Sequence, residues 1–176
     1  MSKKELNERT IANLEEAFSG ESQAATKYEY FAKVAQKEGH HGIARVFNET
    51  AHNEKQHAKM WFKHLGHLSD TVSNLKSASG GENYEWTNMY DRMAKEAEED
   101  GLTDLAREFK LVANVEREHE KRYNSYIEYL MKGTLYSRDK AVKWECLNCG
   151  HQATNKAAPS ECPTCRHPQG FFIEIL

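Results

Sequence analysis

Cysteine and proline are absent from the first 145 residues of this 176-residue chain; all four cysteines and all three prolines fall in the last 31 positions. Three prolines and ten glycines are too few for a collagen-like or low-complexity chain. No run approaches the ~18 apolar residues that a membrane-spanning helix needs. The opening stretch, Met1-Ser2-Lys3-Lys4-Glu5-Leu6-Asn7-Glu8-Arg9, has no apolar core of a secretory signal, so a cytoplasmic protein is expected. Basic blocks are missing too. Formal charge is −3 and spread along the chain, which argues against nucleic acid as a partner. In a reducing compartment, four cysteines in two close pairs read as metal ligands rather than disulfides. The length suits one domain of ~100–150 residues with a small appendage.

Apolar residues recur at helical steps over residues 5–38, where Ile11, Leu14, Phe18, Tyr28, Ala32 and Ala35 form a row that Gly39 ends. Residues 42–65 carry a second row: Phe47, Ala51, Ala58, Trp61 and Leu65. The stretch from Gly66 to Gly80, rich in Ser, Asn, His and Gly, is too long for a tight turn and reads as a crossover. A third helix is expected over 82–99, stopping at Gly101. A fourth should start with Thr103 as N-cap and run to about 131. Four helices with one long crossover give the connectivity of a ferritin-like four-helix bundle in a mainly α protein. The division that follows is a bundle over 1–132, a linker over 133–143 whose Gly, Ser and Asp favour mobility, and a small metal domain over 144–176.

The helical part repeats itself. At an offset of 62, Phe31–His57 aligns without gaps on Met93–His119, with ten of 27 positions identical. Upstream the register slips by one, placing Gly20-Glu21-Ser22 on Gly81-Glu82-Asn83. Each half is a helix pair carrying one early Glu and one late Glu-x-x-His. That motif occurs four times, but only Glu54/His57 and Glu116/His119 fall on each other; Glu38/His41 and Glu49/His52 have no counterpart. Glu21, Glu54, Glu82 and Glu116 also continue the apolar rows, unlike glutamates on a solvated helix face.

Unpaired carboxylates on inward faces would repel one another and cost several kcal/mol each unless a cation neutralises them. One Glu from each of two helices plus Glu-x-x-His from each of the other two is the donor set that holds two iron or manganese ions. The repeat is broken once: Ala24 stands three residues after Glu21, whereas Glu85 stands three after Glu82. From spacing, Glu85 is either a seventh ligand or a surface Glu favoured by the helix dipole.

Beyond the linker, Cys146-Leu147-Asn148-Cys149 and Cys162-Pro163-Thr164-Cys165 form two thiolate knuckles separated by twelve residues. Such a cage takes iron or zinc, and ligand type alone does not choose. Trp144, Phe171 and Phe172 bracket the knuckles and allow ~30 residues to fold around a metal.

GESQAATKYEYFAKVAQKEG, NETAHNEKQH, GENYEWTNMY and VEREHEKRY, followed by WECLNCG and ECPTCRHPQGFF, resemble the rubrerythrin family over nearly the whole chain. The resemblance implies a di-iron ferritin-like domain joined to a rubredoxin-like domain with one iron on Cys146, Cys149, Cys162 and Cys165. It implies Glu21 and Glu85 as ligands of the first iron, Glu82 and His119 of the second, and Glu54 and Glu116 as bridges. His57 would replace Glu85 on reduction, with Tyr28 and Tyr90 close by. Tyr28 and Tyr90 also read as ordinary core aromatics. His151, where the family more often has Tyr, is the one departure and touches only redox tuning.

The implied activity is a peroxidase for oxidative-stress protection. Hydrogen peroxide is reduced to water with two electrons from the iron pair, and the cysteine-bound iron returns them singly from a reductase or rubredoxin. His119 lies about 12 residues, or roughly 18 Å, from the end of its helix. A head-to-tail homodimer would therefore shorten the electron path. The alternatives are a ferroxidase or iron-storage protein, which leaves the four cysteines unexplained, and a scaffold built on a zinc ribbon.

Overall fold

The structure is a computed structural model and describes residues 6–175. It is mainly helical, with a small three-stranded sheet at the C-terminal end. It divides into two compact units, 1–70 and 71–176.

The first unit is a helical hairpin of α1 (Glu8–Lys37) and α2 (His41–His64). Asn7 caps α1, its Oδ1 accepting from the Thr10 N–H at 2.9 Å. The expected start at Glu5 lies outside the described residues. Gly39 takes φ +83° at the turn, a conformation that costs glycine nothing. The two helices meet through alanines: Ala25, Ala32 and Ala35 face Ala44, Ala51 and Ala58, and these six are the buried residues of the pair. Small side chains let the helix axes approach closely. The larger apolar groups lie to the side: Phe31, Val34, Ile43 and Val46 are all exposed.

The second unit opens with α3 (Thr71–Tyr84), continues through a π-helical turn (Glu85–Met89) into α4 (Tyr90–Glu99), and returns along α5 (Thr103–Lys132). Two expectations are corrected here. The stretch after His67 is not an extended crossover, because α3 begins at Thr71 and the loop closes within Leu65–Asp70. Its serines and asparagines are tolerated because side-chain bonds hold the helix to α5: Ser79 Oγ donates to Asn124 Oδ1 at 2.7 Å and Asn83 Nδ2 to Glu120 Oε1 at 3.1 Å. Thr103 is the first helical residue rather than the cap; Leu102 occupies the cap position with no side-chain bond. Alanines again make the contact, with Ala94, Ala97 and Ala106 buried.

Gly133, at φ +65°, ends α5, and β1 (Ser137–Cys146) follows almost at once. Residues 137–143, expected as mobile linker, are therefore strand. β1 is central, pairing antiparallel with β2 (Gln152–Ala157) through Trp144↔Ala153 and with β3 (Phe172–Ile175) through Cys146↔Phe172. A 3₁₀ turn (Gln169–Phe171) leads into β3. Trp144, Cys146, Ala158, Cys162 and Phe172 form the core of this module. Of the three aromatics that bracket the knuckles, Trp144 and Phe172 are buried while Phe171 stays partly exposed against His167. Arg138 fastens β1 to the end of α5. Its guanidinium lies 4.2 Å from the Tyr129 ring and 5.3 Å from that of Trp144.

Candidate metal centres

Three clusters of metal-binding side chains are present among the described residues, and they are the ones the sequence singles out. In the first unit, Glu21 on α1 meets Glu54 and His57 on α2. His57 Nδ1 is 2.8 Å from Glu54 Oε2 and 3.7 Å from Glu21 Oε1. In the second unit, Glu82 on α3 meets Glu116 and His119 on α5. His119 Nδ1 is 2.7 Å from Glu116 Oε2 and 3.7 Å from Glu82 Oε1. The sequence repeat is thus a repeat of site geometry to within 0.1 Å. Each triad places an i, i+3 Glu–His pair on one face of a helix and receives a single Glu from the neighbour.

Electrostatics differ between the two triads, and the second is short of positive charge. Hydrogen bonds from Glu21 and then from His57 hold the Glu54 carboxyl below the usual carboxylate range. Burial, followed by the charge of Glu116, pushes Glu82 above it. The Tyr90 phenol is raised by burial first and then by Glu85, Glu116 and Glu82. A bound cation relieves this repulsion, and donors made only of carboxylate oxygen and imidazole nitrogen suit iron or manganese. The tyrosines repeat as well. Tyr28 packs 6.1 Å from Phe47 and Tyr90 6.0 Å from Phe109, both at 36°.

The two triads differ where the sequence register slips. Glu21 aligns on Glu82 at an offset of 61 and Tyr28 on Tyr90 at 62, so one residue is inserted between Glu82 and Tyr90. The π-helical turn over Glu85–Met89 occupies that interval and absorbs the extra residue while keeping the helix continuous. Glu85 opens this turn. It is half-buried and is not among the three side chains whose ligand atoms lie within 4.8 Å of one another, but its charge acts on both Glu82 and Tyr90.

Sequence reasoning missed the residues that hold the turn in place. Trp86 Nε1 donates to Glu120 Oε2 at 2.6 Å, while Asn83 donates to the other oxygen of the same carboxylate. Glu120 follows His119 directly on α5. Its counterpart in the first pair is Ala58, so this tie belongs to the second pair alone. The one-residue slip was the signal that could have pointed here.

The third cluster brings together all four cysteines. Cys146 Sγ lies 3.7 Å from Cys165 Sγ, and Cys149 Sγ 3.6 Å from Cys162 Sγ. These separations are too long for disulfides. They approach the edge of about 3.8 Å that four sulfurs make around a metal at about 2.3 Å. The knuckles are built alike: Cys146 N–H donates to His151 O and Cys162 N–H to His167 O, at 2.9 and 2.8 Å. His151 Nδ1 also shares a hydrogen bond with Thr164 Oγ1 at 3.1 Å, which ties the first knuckle to the second. The backbone N–H of His167 draws the Cys165 thiol down to about 6. At Cys149 the His151 N–H favours the thiolate, but the neighbouring thiols and burial outweigh it, and the group is pushed up to about 12.

The chain is similar to known proteins over nearly its whole length. The family model described as Rubrerythrin matches residues 12–127 and 73–145, and the model of the rubrerythrin rubredoxin-like domain matches 144–173. The chain is 42% identical over 185 residues to rubrerythrin of Porphyromonas gingivalis, covering 98% of this chain and 92% of that protein. It is 42% identical to rubrerythrin-1 of Clostridium acetobutylicum, covering 96% and 94%. Against rubrerythrin of Nitratidesulfovibrio vulgaris it is 39% identical, covering 96% and 94%.

Proposed function

The chain belongs to the rubrerythrin family, and on that premise we propose that it is a hydrogen peroxide reductase with a di-iron centre and a rubredoxin-like iron as its electron entry. The observation that carries this reading is the coexistence, in one chain, of two matching Glu–Glu–His triads and a four-thiol cage of metal-binding dimensions. An iron pair supplies the two electrons that peroxide reduction needs. In this proposal Glu21 and Glu85 would hold the first iron, Glu82 and His119 the second, and Glu54 and Glu116 would serve both. His57 would be the alternative ligand to Glu85.

The protein's own groups manage charge and protons. Reduction of hydrogen peroxide to two waters consumes two protons along with two electrons. His57 Nδ1 lies 2.8 Å from Glu54 Oε2, and His119 Nδ1 lies 2.7 Å from Glu116 Oε2. Tyr28 and Tyr90, both half-buried, pack against Phe47 and Phe109 about two helical turns beyond Glu21 and Glu82. Cys146, Cys149, Cys162 and Cys165 carry single electrons from a reductase or rubredoxin. A ferroxidase would have no use for that module.

The test is anaerobic reduction followed by separate addition of hydrogen peroxide and dioxygen, with reoxidation followed in the visible spectrum. Peroxide should reoxidise the bundle iron faster. Reoxidation that is faster with dioxygen, with iron accumulating beyond two per bundle site, overturns the reading in favour of a ferroxidase.

A further inference from the structure

The end of α3 and the π-helical turn after it are gripped by a side chain of α5, and the matching part of α1 is not gripped by α2. The carboxylate of Glu120 accepts from Trp86 Nε1 at 2.6 Å through one oxygen and from Asn83 Nδ2 at 3.1 Å through the other. Asn83 and Trp86 directly follow Glu82 and Glu85, and Glu120 directly follows His119. The grip is therefore made one residue along from the candidate ligands on both sides. In the first pair the counterparts of Asn83 and Glu120 are Ser22 and Ala58, and Trp86 falls on Ala24 or Ala25. A threonine bond at the same place does not set the pairs apart. Thr87 Oγ1 donates to Asn83 O at 2.6 Å, and Thr26 Oγ1 donates to Ser22 O at 3.1 Å although α1 is α-helical throughout.

We propose that Glu120 is a positioning residue, whose carboxylate pins the π turn in place and thereby keeps Glu85 on the helix face of Glu82. The inference rests on the reading that Glu85 is a ligand. The wide hydrogen bond of the turn runs from Tyr90 N–H to Glu85 O, five residues apart where an α-helix has four. Each residue of an α-helix advances about 100° around the axis, so one inserted residue rotates everything beyond it by that angle relative to everything before it. Glu82 and Glu85 are three apart and share a face only while the insertion lies beyond Glu85. A turn that slipped toward the N-terminus would put the insertion between them and swing Glu85 off that face. Asn83 precedes the turn and Trp86 lies inside it, so one carboxylate holding both fixes the point where the turn begins. A carboxylate suits the task because it offers an oxygen to each donor and makes the stronger class of hydrogen bond.

A double-mutant cycle separates positioning from general support of the fold. Glu120→Ala should slow reoxidation by peroxide about tenfold while Glu85 is present, and should add nothing once Glu85 is already Ala. Trp86→Phe removes one of the two bonds and keeps a large ring in its place. It should act in the same direction by less, with the same dependence on Glu85, and it carries the test if Glu120→Ala does not fold. A second readout needs no metal. In the metal-free protein, hydrogen exchange followed by mass spectrometry should quicken in Glu120→Ala more over residues 82–90 than over residues 21–28 of α1. Equal slowing of reoxidation in both Glu85 backgrounds, or exchange over 82–90 that quickens no more than over 21–28, overturns the proposal and leaves Glu85 as a ligand. If Glu85→Ala alone leaves reoxidation unchanged, the ligand reading itself fails, and the positioning role of Glu120 falls with it.

Discussion

The two helix pairs are near copies, and their likeness and their single difference teach separate things. Matching triads, matching tyrosine–phenylalanine contacts and matching alanine seams show that one arrangement of carboxylates and imidazole was used twice. The difference is one inserted residue, absorbed by a π-helical turn that carries Glu85 and is tied to α5 by Glu120. A storage site has no need of inequivalent halves. Chemistry that must cycle between two oxidation states has a use for an extra carboxylate on one side.

The largest effects should come from breaking what the pairs share. Replacing Glu54 or Glu116 by Ala removes the carboxylate nearest the histidine of its triad. Peroxide reduction should fall by about 100-fold or more, beyond the range of supporting residues. Steady-state assay with iron analysis checks this, and an active variant with full iron would falsify the assignment. Equal losses at the two positions would confirm that the copies work as equals; unequal ones would show where the symmetry ends. Cys162→Ser acts elsewhere. Cys162 is fully buried in the core of the module and is one of its four clustered thiols, so residues 144–175 should lose their fold while the helices persist. Near-ultraviolet circular dichroism separates the two regions, and a native module spectrum would count against a structural role for the metal.

Most of this site could be read from the residues because metal ligation and burial leave a periodic trace. Glu54 and Glu116 interrupt apolar rows at positions where a solvated Glu has no reason to be, and the repeat selects them from four similar motifs. The helix over Thr71–Tyr84 left no such trace. Its Ser, Asn and Gly content favours turns by local propensity, and bonds from Ser79 and Asn83 to α5 override that preference. The strand from Ser137 was hidden similarly, since Arg138 holds it through ring stacking and carbonyl contacts rather than through an apolar pattern. The π turn was visible only as an unexplained slip of one residue.

Removing the difference between the pairs should cost less. Glu85→Ala puts in the second pair the residue type that Ala24 supplies in the first. Bundle iron should be retained, and reoxidation by peroxide should slow by about tenfold or more. Stopped-flow absorbance after anaerobic reduction reads this, and an unchanged rate would show that Glu85 is a surface residue at a helix turn. Glu120→Ala withdraws the acceptor from Trp86 and Asn83 without touching a ligand. It should lower helix stability by about 1–3 kcal/mol, measured by urea unfolding, because it leaves a part-buried indole N–H unpaired.

The smallest predicted effect concerns the join between the helices and the thiolate module. Arg138 stacks on Tyr129 and Trp144, donates from Nη1 to Thr134 O and Ser137 O at 2.9 and 2.7 Å, and pairs through Nε with Glu174 at 2.7 Å. A lysine keeps the charge but loses the planar fork that makes these contacts at once. Arg138→Lys should therefore destabilise the module by about 1–2 kcal/mol in thermal unfolding followed by Trp fluorescence. Glu174→Gln removes only the ion pair and should cost less than about 1 kcal/mol, because that carboxylate remains open to water. If the two substitutions cost the same, Arg138 acts through its β1–β3 ion pair rather than through stacking on Tyr129 of α5. In that case the join would weaken with added salt, whereas stacked and carbonyl-bound Arg138 should leave it nearly insensitive to ionic strength.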